Sequence, residues 1–265
     1  MADGAPLRIG FIGNGGITRS VREALSGTAG VDHRVVAILA RSSCVTDEPL
    51  LAHASDLIAA APTVVIECAG HGAVGEYGED ILRAGIPLIL VSTGALADAA
   101  LHDRLIAAAR AGGTAIILAP GAMAGIEALA AARIGGLTHV RYVGSKPPLA
   151  WRGTPAENLL DLANLANAQS FFRGTAREAA LAYPKNSNVC ATIALAGLGF
   201  DRTEVELRAD PGITKNVHHL SFAGADGQVV LDVAGEPSRS NPKTSALTAH
   251  SIARLVIGMA SPLVV

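Results

Sequence analysis

The strongest constraint on this chain is an alternation in its first half, where short β-branched runs take turns with Ala- and Leu-rich stretches of helical period. Leu7 to Ile12 reads as a strand and Gly16 to Leu25 as a helix. Strands follow at Val35 to Leu39, Thr63 to Glu67, Pro87 to Val91 and Thr114 to Leu118, with helices at Gly75 to Ala84 and Ala97 to Ala111. Repeated strand–helix–strand units build a parallel sheet. Val64-Val65-Ile66 and Leu88-Ile89-Leu90-Val91 are apolar without alternation, as strands covered on both faces must be. Gly112-Gly113 after Arg110 supplies a helix stop.

Beyond about residue 120 the pattern changes. Strands at Thr203 to Arg208, Leu220 to Ala223 and Gln228 to Val233 follow one another through short turns such as Ala225-Asp226-Gly227, which predicts a largely antiparallel sheet. Two helix starts carry capping boxes, Thr154-Pro155-Ala156-Glu157 and Thr175-Ala176-Arg177-Glu178, and a last helix is expected from Thr244 to Ile257. The expected organisation is a dinucleotide-binding domain over 1–120 and an α+β catalytic and dimerisation domain over 121–243. A C-terminal helix within 244–265 is expected to pack back on the first domain.

Composition removes several function classes. Lys and Arg number 21 against 23 Asp and Glu, a net charge of −2, so no electrostatic footprint for nucleic acid or an anionic membrane exists. The mean hydropathy is +0.38, yet charges, Gly-Gly or Pro break every long apolar stretch before the roughly 20 residues a bilayer span needs. The apolar 50 % of the chain is therefore expected in cores. Met1 to Arg8 runs into the first strand without a basic region and apolar signal core, which predicts a cytoplasmic protein. Cys44, Cys68 and Cys190 are far apart and odd in number, so reduced thiols are expected, with neither a disulfide framework nor a metal site.

Gly13-Asn14-Gly15-Gly16-Ile17 sits where a phosphate-binding turn belongs, after the first strand and opening the first helix. Gly13 permits the tight turn, Gly15 lets the backbone approach a pyrophosphate, and the helix end from Gly16 and Ile17 brings N–H groups and a positive dipole end. Thr18 stands where the usual pattern has a third glycine. The fold class is thus α/β: a Rossmann-type doubly wound parallel sheet domain plus an α+β domain with a largely antiparallel sheet. The second strand ends Leu39-Ala40-Arg41-Ser42-Ser43, without the acid that holds the ribose 2′-OH of NAD. Arg41 with the serines can hold the 2′-phosphate of NADP or stand as a solvated strand end, so both NAD and NADP are expected cofactors. Turns at Cys68-Ala69-Gly70-His71, Ser92-Thr93-Gly94-Ala95 and Pro120-Gly121-Ala122-Met123 fall at carboxyl ends of the sheet, and all three are expected to line the cofactor pocket, Ala69 and Gly70 among them.

His33, His53, His102, His139 and His250 have no polar companions in the sequence and read as structural or exposed. His218 and His219 follow Asn216-Val217 into a strand, where adjacent side chains face opposite sides, so one of the pair can face a given site. The pattern alone leaves open which one.

The chain resembles the L-aspartate dehydrogenases. The resemblance rests on Gly13-Asn14-Gly15-Gly16-Ile17, Glu67-Cys68-Ala69-Gly70-His71, Ser92-Thr93-Gly94-Ala95-Leu96, Pro120-Gly121-Ala122 and Tyr183-Pro184-Lys185-Asn186-Ser187-Asn188-Val189. It continues through Asp210-Pro211, Asn216-Val217-His218 and Asn241-Pro242-Lys243-Thr244-Ser245-Ala246, covering essentially the whole chain. It implies that His218 is the catalytic acid/base and that Ala122 and Asn188 touch the cofactor. It implies oxidation of L-aspartate by NAD or NADP to iminoaspartate, which hydrolyses to oxaloacetate and ammonia or feeds NAD biosynthesis, and it implies a homodimer. Two substrate carboxylates call for cations and donors, for which Lys185, Lys243 and Thr244 are the candidates, with Lys146 a third cation.

Three rival readings share parts of this pattern. Dihydrodipicolinate-reductase-like enzymes follow a His-His pair with a Lys and a Ser-Gly-Thr segment, whereas Leu220-Ser221-Phe222-Ala223-Gly224 follows here. Homoserine dehydrogenases lack the Lys-Asn-Ser-Asn and Asn-Val-His blocks. A non-catalytic NAD(P) sensor would tolerate loss of His218.

Overall fold

A computed structural model of the chain describes residues 6–28, 32–41, 48–238 and 244–264. Two compact units emerge, one of Met1–Ala119 with Thr248–Val265 and one of Pro120–Leu247.

The first unit opens with strand β1 (Leu7–Ile12), helix α1 (Gly16–Ser26), β2 (His33–Leu39), β3 (Leu50–Leu51) and α2 (Ala54–Ala59). It continues with β4 (Val64–Glu67), α3 (His71–Arg83), β5 (Leu88–Leu90), α4 (Ala99–Ala111) and β6 (Ile116–Leu118). The strand order is β3-β2-β1-β4-β5-β6, and every neighbouring pair is parallel. This is the doubly wound order whose direction reverses between β1 and β4, so the turns leaving those two strands diverge and open a crevice. Phe11, Ile66 and Ile89 are fully buried, as the unbroken apolar runs predicted.

Three departures from the predicted elements have local causes. The helix expected from Gly75 starts at His71, because the Gly70 carbonyl already accepts from Ala73 and Val74 N–H at 3.0 and 3.4 Å. The low helix propensity of Gly72 and Gly75 hid that first turn. The helix expected from Ala97 is divided: Asp98 caps α4 by accepting from Leu101 N–H at 3.1 Å, and Thr93–Ala97 forms a separate 3-10 turn. β3 and α2, two and six residues long, are too short for periodicity to reveal.

The second unit contains α5 (Ile126–Gly135), β7 (Leu137–Lys146), β8 (Gln169–Thr175), α6 (Ala176–Ala182) and α7 (Asn188–Ala196), then β9 (Glu204–Ala209), β10 (Asn216–Gly224) and β11 (Gly227–Gly235). Its sheet runs β11-β10-β7-β9-β8, antiparallel except for the β7–β9 pair. One face is apolar, with Val140, Tyr142, Leu207, Leu220 and Phe222 buried. The other carries Glu206 among Arg141, Arg173 and Arg208. Burial alone would raise the Glu206 carboxyl, yet hydrogen bonds from Arg208, Ser170 and Arg141 hold it at about 2.

The capping box at Thr175 forms with both reciprocal bonds. The one at Thr154 yields only a 3-10 turn over Pro155–Asn158, a correction to the expected helix. Beyond it, Asp161 accepts from the backbone of Ala163 and Asn164 at 3.2 and 3.3 Å, a local turn in place of further helix.

The last helix, α8 (Ala246–Ala260), places Ala249, Ile252, Ala253 and Val256 in the same apolar cluster as Ile9, Phe11 and Ile66 of the first unit. No helix among the described residues is long and apolar enough to cross a membrane.

Candidate active site

In the first unit the turns after β1 and β4 and the end of β2 surround a cavity of about 560 Å³ lined by Gly13, Asn14, Gly15, Arg41, Ala69, Gly70 and His71, among others. Gly13 has φ +98°, and a Cβ there would lie 2.9 Å from that of Ala69, so glycine is required both by conformation and by the approach of the neighbouring turn. Thr18, in the place of a third glycine, is fully buried and donates its hydroxyl to the Gly13 carbonyl at 2.8 Å, bracing the turn from below. A Cβ at Gly15 would meet nothing within 4 Å, which leaves the space an approaching pyrophosphate needs. Helices α1 and α3 both begin at this cavity, and neither has a side-chain cap or an acid in its first turn. The positive dipole end of α1, with no acid in its first turn, suits a dinucleotide pyrophosphate.

Glu67 holds the arrangement together. It ends β4 fully buried, and its Oε1 accepts from Ala69 N–H and Gly70 N–H at 2.7 Å each and from the Ser92 hydroxyl at 3.0 Å. Its Oε2 accepts from Ser92 N–H at 2.9 Å. One carboxylate therefore ties the turns after β4 and β5 to the sheet.

At the end of β2, Arg41 pairs with Glu76 of α3, and Tyr77 also bonds Glu76. Tyr77 and Arg41 together hold the Glu76 carboxyl below its usual range, and the pairing raises Arg41. Burial pushes the Cys68 thiol up, so it lines the cavity as an apolar group.

In the second unit, β10 directs His218 into the protein, only 5 % exposed, while His219 on the opposite face reaches Asp232 at 2.8 Å. The ambiguity of the histidine pair is thereby resolved in position: His218 is the enclosed one. Its Nδ1 lies 2.7 Å from the Tyr142 hydroxyl. Burial first, and the charge of Lys146 second, lower His218 from 6.5 to about 4. Lys146 donates to Asn186 Oδ1 at 2.6 Å and lies 5.1 Å above the Trp151 ring. The result is a neutral imidazole in the field of a half-buried ammonium, groups that can accept a proton and hold an anion.

Residues 127–259 match the family model "Aspartate dehydrogenase, C-terminal", and residues 13–119 match "Homoserine dehydrogenase, NAD binding domain". The chain is 46 % identical to the L-aspartate dehydrogenase of a Polaromonas species over 98 % of its own length and 100 % of that protein's. It is 53 % identical to that of Pseudomonas aeruginosa over 73 % and 72 % of the two chains. The chain belongs to the L-aspartate dehydrogenase family. Aspartate dehydrogenase from Thermotoga maritima superposes with a TM-score of 0.79 at 25 % identity, covering 98 % of this chain and 100 % of that one. Dihydrodipicolinate reductase from Paenisporosarcina sp. TG-14 shares the fold at a TM-score of 0.54 and 14 % identity, over 97 % and 95 %.

The other residues singled out in the sequence fall as follows. Ile17 lies in the first turn of α1, Asn188 begins α7, and Ala122 is buried just beyond β6. Lys185 is exposed on the 3-10 turn Pro184–Asn186, and it is Lys146, ranked third from sequence, that stands next to His218. Thr244 lies just before α8, its carbonyl accepting from Ser238 N–H at 2.7 Å. Ser42, Ser43, Cys44, Asn241, Pro242 and Lys243 lie outside the described residues. Sequence reasoning gave no role to Tyr142, Glu67 or Glu76. Glu67, a lone acid closing an apolar strand, carried a readable signal; Tyr142 and Glu76 did not.

Replacing Glu67 by Gln puts an amide NH2 against at least one buried donor, so stability is expected to fall by about 1–3 kcal/mol in urea denaturation. Titration with NADH by fluorescence is expected to show weaker binding, since the Ala69–Gly70 turn loses its anchor. Because His218 is held at about 4 against 6.5, the unfolded chain binds its proton first; stability is full above pH 6.5 and drains by about 3 kcal/mol as the pH falls toward 4. Urea midpoints of the protein and of His218→Gln across that window should diverge by this component alone.

Proposed function

We propose that the chain is an NAD(P)-dependent L-aspartate dehydrogenase that oxidises L-aspartate to iminoaspartate, from which water yields oxaloacetate and ammonia. Iminoaspartate is also a precursor that pyridine nucleotide biosynthesis can draw on. The observation that carries the reading is the buried, neutral His218 beside Lys146, in the part of the chain that matches the aspartate dehydrogenase family model. The family resemblance extends the proposal to a homodimer.

The bound nicotinamide supplies the hydride acceptor. Gly13, Gly15, Gly16 and Ile17 would hold the pyrophosphate on the first turn and helix end, with Ala69, Gly70, Ala122 and Asn188 as further cofactor contacts. Lys146 would pair with a substrate carboxylate, with Lys185, Lys243 and Thr244 as further candidates for the second. His218 takes the proton that the substrate ammonium must lose before hydride can leave Cα, releases it to solvent, and then takes one from the water that attacks the imine and returns it to the departing amine. The electrostatics favour this order. A substrate carboxylate on Lys146 offsets the charge that depresses His218, which raises the affinity of the imidazole for a proton when substrate is in place.

Arg41, which lines the cavity and pairs with Glu76, supports use of both cofactors: it can turn to a 2′-phosphate or stay on Glu76 when there is none. Arg41→Asp is expected to lower kcat/KM for NADP about tenfold or more while leaving NAD nearly unchanged, the scale of one lost charge-assisted contact. An unchanged ratio removes Arg41 from the site.

The activity itself is read from absorbance of reduced nicotinamide with L-aspartate, beside L-alanine, L-glutamate and L-homoserine. Turnover confined to L-aspartate and reduced roughly a hundredfold or more in His218→Ala is expected. Cofactor binding without turnover on any of the four would favour a sensor.

A further inference from the structure

We propose that Tyr142 is the positioning residue for His218, fixing Nε2 as its working nitrogen, and that Gly144 is glycine because the Tyr142 phenol lies over it. This rests on the reading of His218 as the acid/base.

The strand register sets up the contact. β10 pairs with β7 antiparallel, with His218 opposite Gly144 and Leu220 opposite Tyr142. Tyr142 and His218 are therefore diagonal neighbours on the apolar face, a separation that an aromatic side chain can bridge. The phenol runs along its strand, its ring centroid 6.0 Å from that of His218 at an interplanar angle of 20°. It passes directly over residue 144. A Cβ there would sit 2.7 Å from the hydroxyl oxygen and 3.1 Å from Cζ, and the ring it would meet is 2 % exposed, with no room to swing aside.

The hydrogen bond defines the imidazole. The Tyr142 hydroxyl makes its one hydrogen bond, among the described residues, to His218 Nδ1 at 2.7 Å. Burial raises Tyr142 far above its usual range, so the phenol keeps its proton throughout the working pH range. A buried hydroxyl whose single partner is a ring nitrogen donates to it rather than leave its proton unpaired. Neutral His218 then rests with its proton on Nε2. The base form is the other tautomer: solvent takes the Nε2 proton and returns one to Nδ1, the phenol turns to accept from Nδ1–H, and the Nε2 lone pair is open. In both states exchange with substrate takes place at Nε2, and Nδ1 stays with Tyr142. The Cys190 thiol, pushed up by burial to about 12, and Lys146 are the other titratable groups acting on this pair, and neither offers Nδ1 a competing acceptor.

Nitrogen NMR of the full labelled chain, without cofactor or substrate, reads the tautomer and the titration of His218. The protein is expected to show an unprotonated, hydrogen-bonded Nδ1. In Tyr142→Phe, which removes a single oxygen from a packed ring, the tautomers are expected to mix. The His218 pKa should rise, since a donor that stabilised the neutral ring is gone. Gly144→Ala keeps the phenol but displaces it, and is expected to give the same spectrum. With L-aspartate, both variants are expected to lose about tenfold to a hundredfold in kcat, with the acidic limb of kcat/KM moved to higher pH and NADH affinity unchanged. An unaltered His218 tautomer and pKa in Tyr142→Phe would overturn the proposal, whatever the activity. His218→Ala remaining active would overturn the acid/base reading instead, so the two failures are distinct.

Discussion

A buried carboxylate without a cation must be surrounded by donors, and Glu67 meets that requirement with backbone and hydroxyl groups drawn from two turns. The consequence is geometric. The turn after β4 is pulled into the position where Gly70 can start α3, and Ala69 is brought against Gly13, so the two sides of the crevice at the sheet's reversal are set by one side chain. Thr18 does the same from the other side by holding the Gly13 carbonyl. The nucleotide cradle is thus a consequence of internal hydrogen bonding. No side chain of the turn itself has to reach out for phosphate.

The second unit solves a different problem, that of keeping an imidazole neutral yet reactive. Enclosing His218 in the apolar face of the sheet lowers its proton affinity, and Lys146 lowers it further. A base depressed that far would be weak if nothing changed on binding. On the proposed reading, a substrate carboxylate on Lys146 would offset the smaller of the two causes of that depression, the Lys146 charge, and so help to activate the base. The opposite face holds Glu206 among three arginines and leaves His219 to Asp232.

Much of this was legible in the chain. The parallel sheet, the phosphate turn and the capping box at Thr175 are local patterns, and local patterns survive in one dimension. The importance of His218 came from its resemblance to a family block; strand geometry alone could not choose it over His219. What sequence missed depends on register. Tyr142 meets His218 only because β7 and β10 pair with Leu220 opposite Tyr142, and the strand that carries Tyr142 was not foreseen. Lys146 rose above Lys185 for the same reason. The Thr154 box yields only a 3-10 turn, its hydroxyl accepting from Ala156 N–H and not from the third helical position.

The central step of the proposed reaction is hydride leaving Cα of L-aspartate for a bound nicotinamide. Turnover of L-aspartate deuterated at Cα, with mass spectrometry of the reduced cofactor, follows that atom. The account predicts a reduced nicotinamide heavier by one mass unit and a slower kcat/KM than with ordinary substrate. Reduced cofactor of unchanged mass, or aspartate recovered with its label intact and no cofactor reduced, would contradict it.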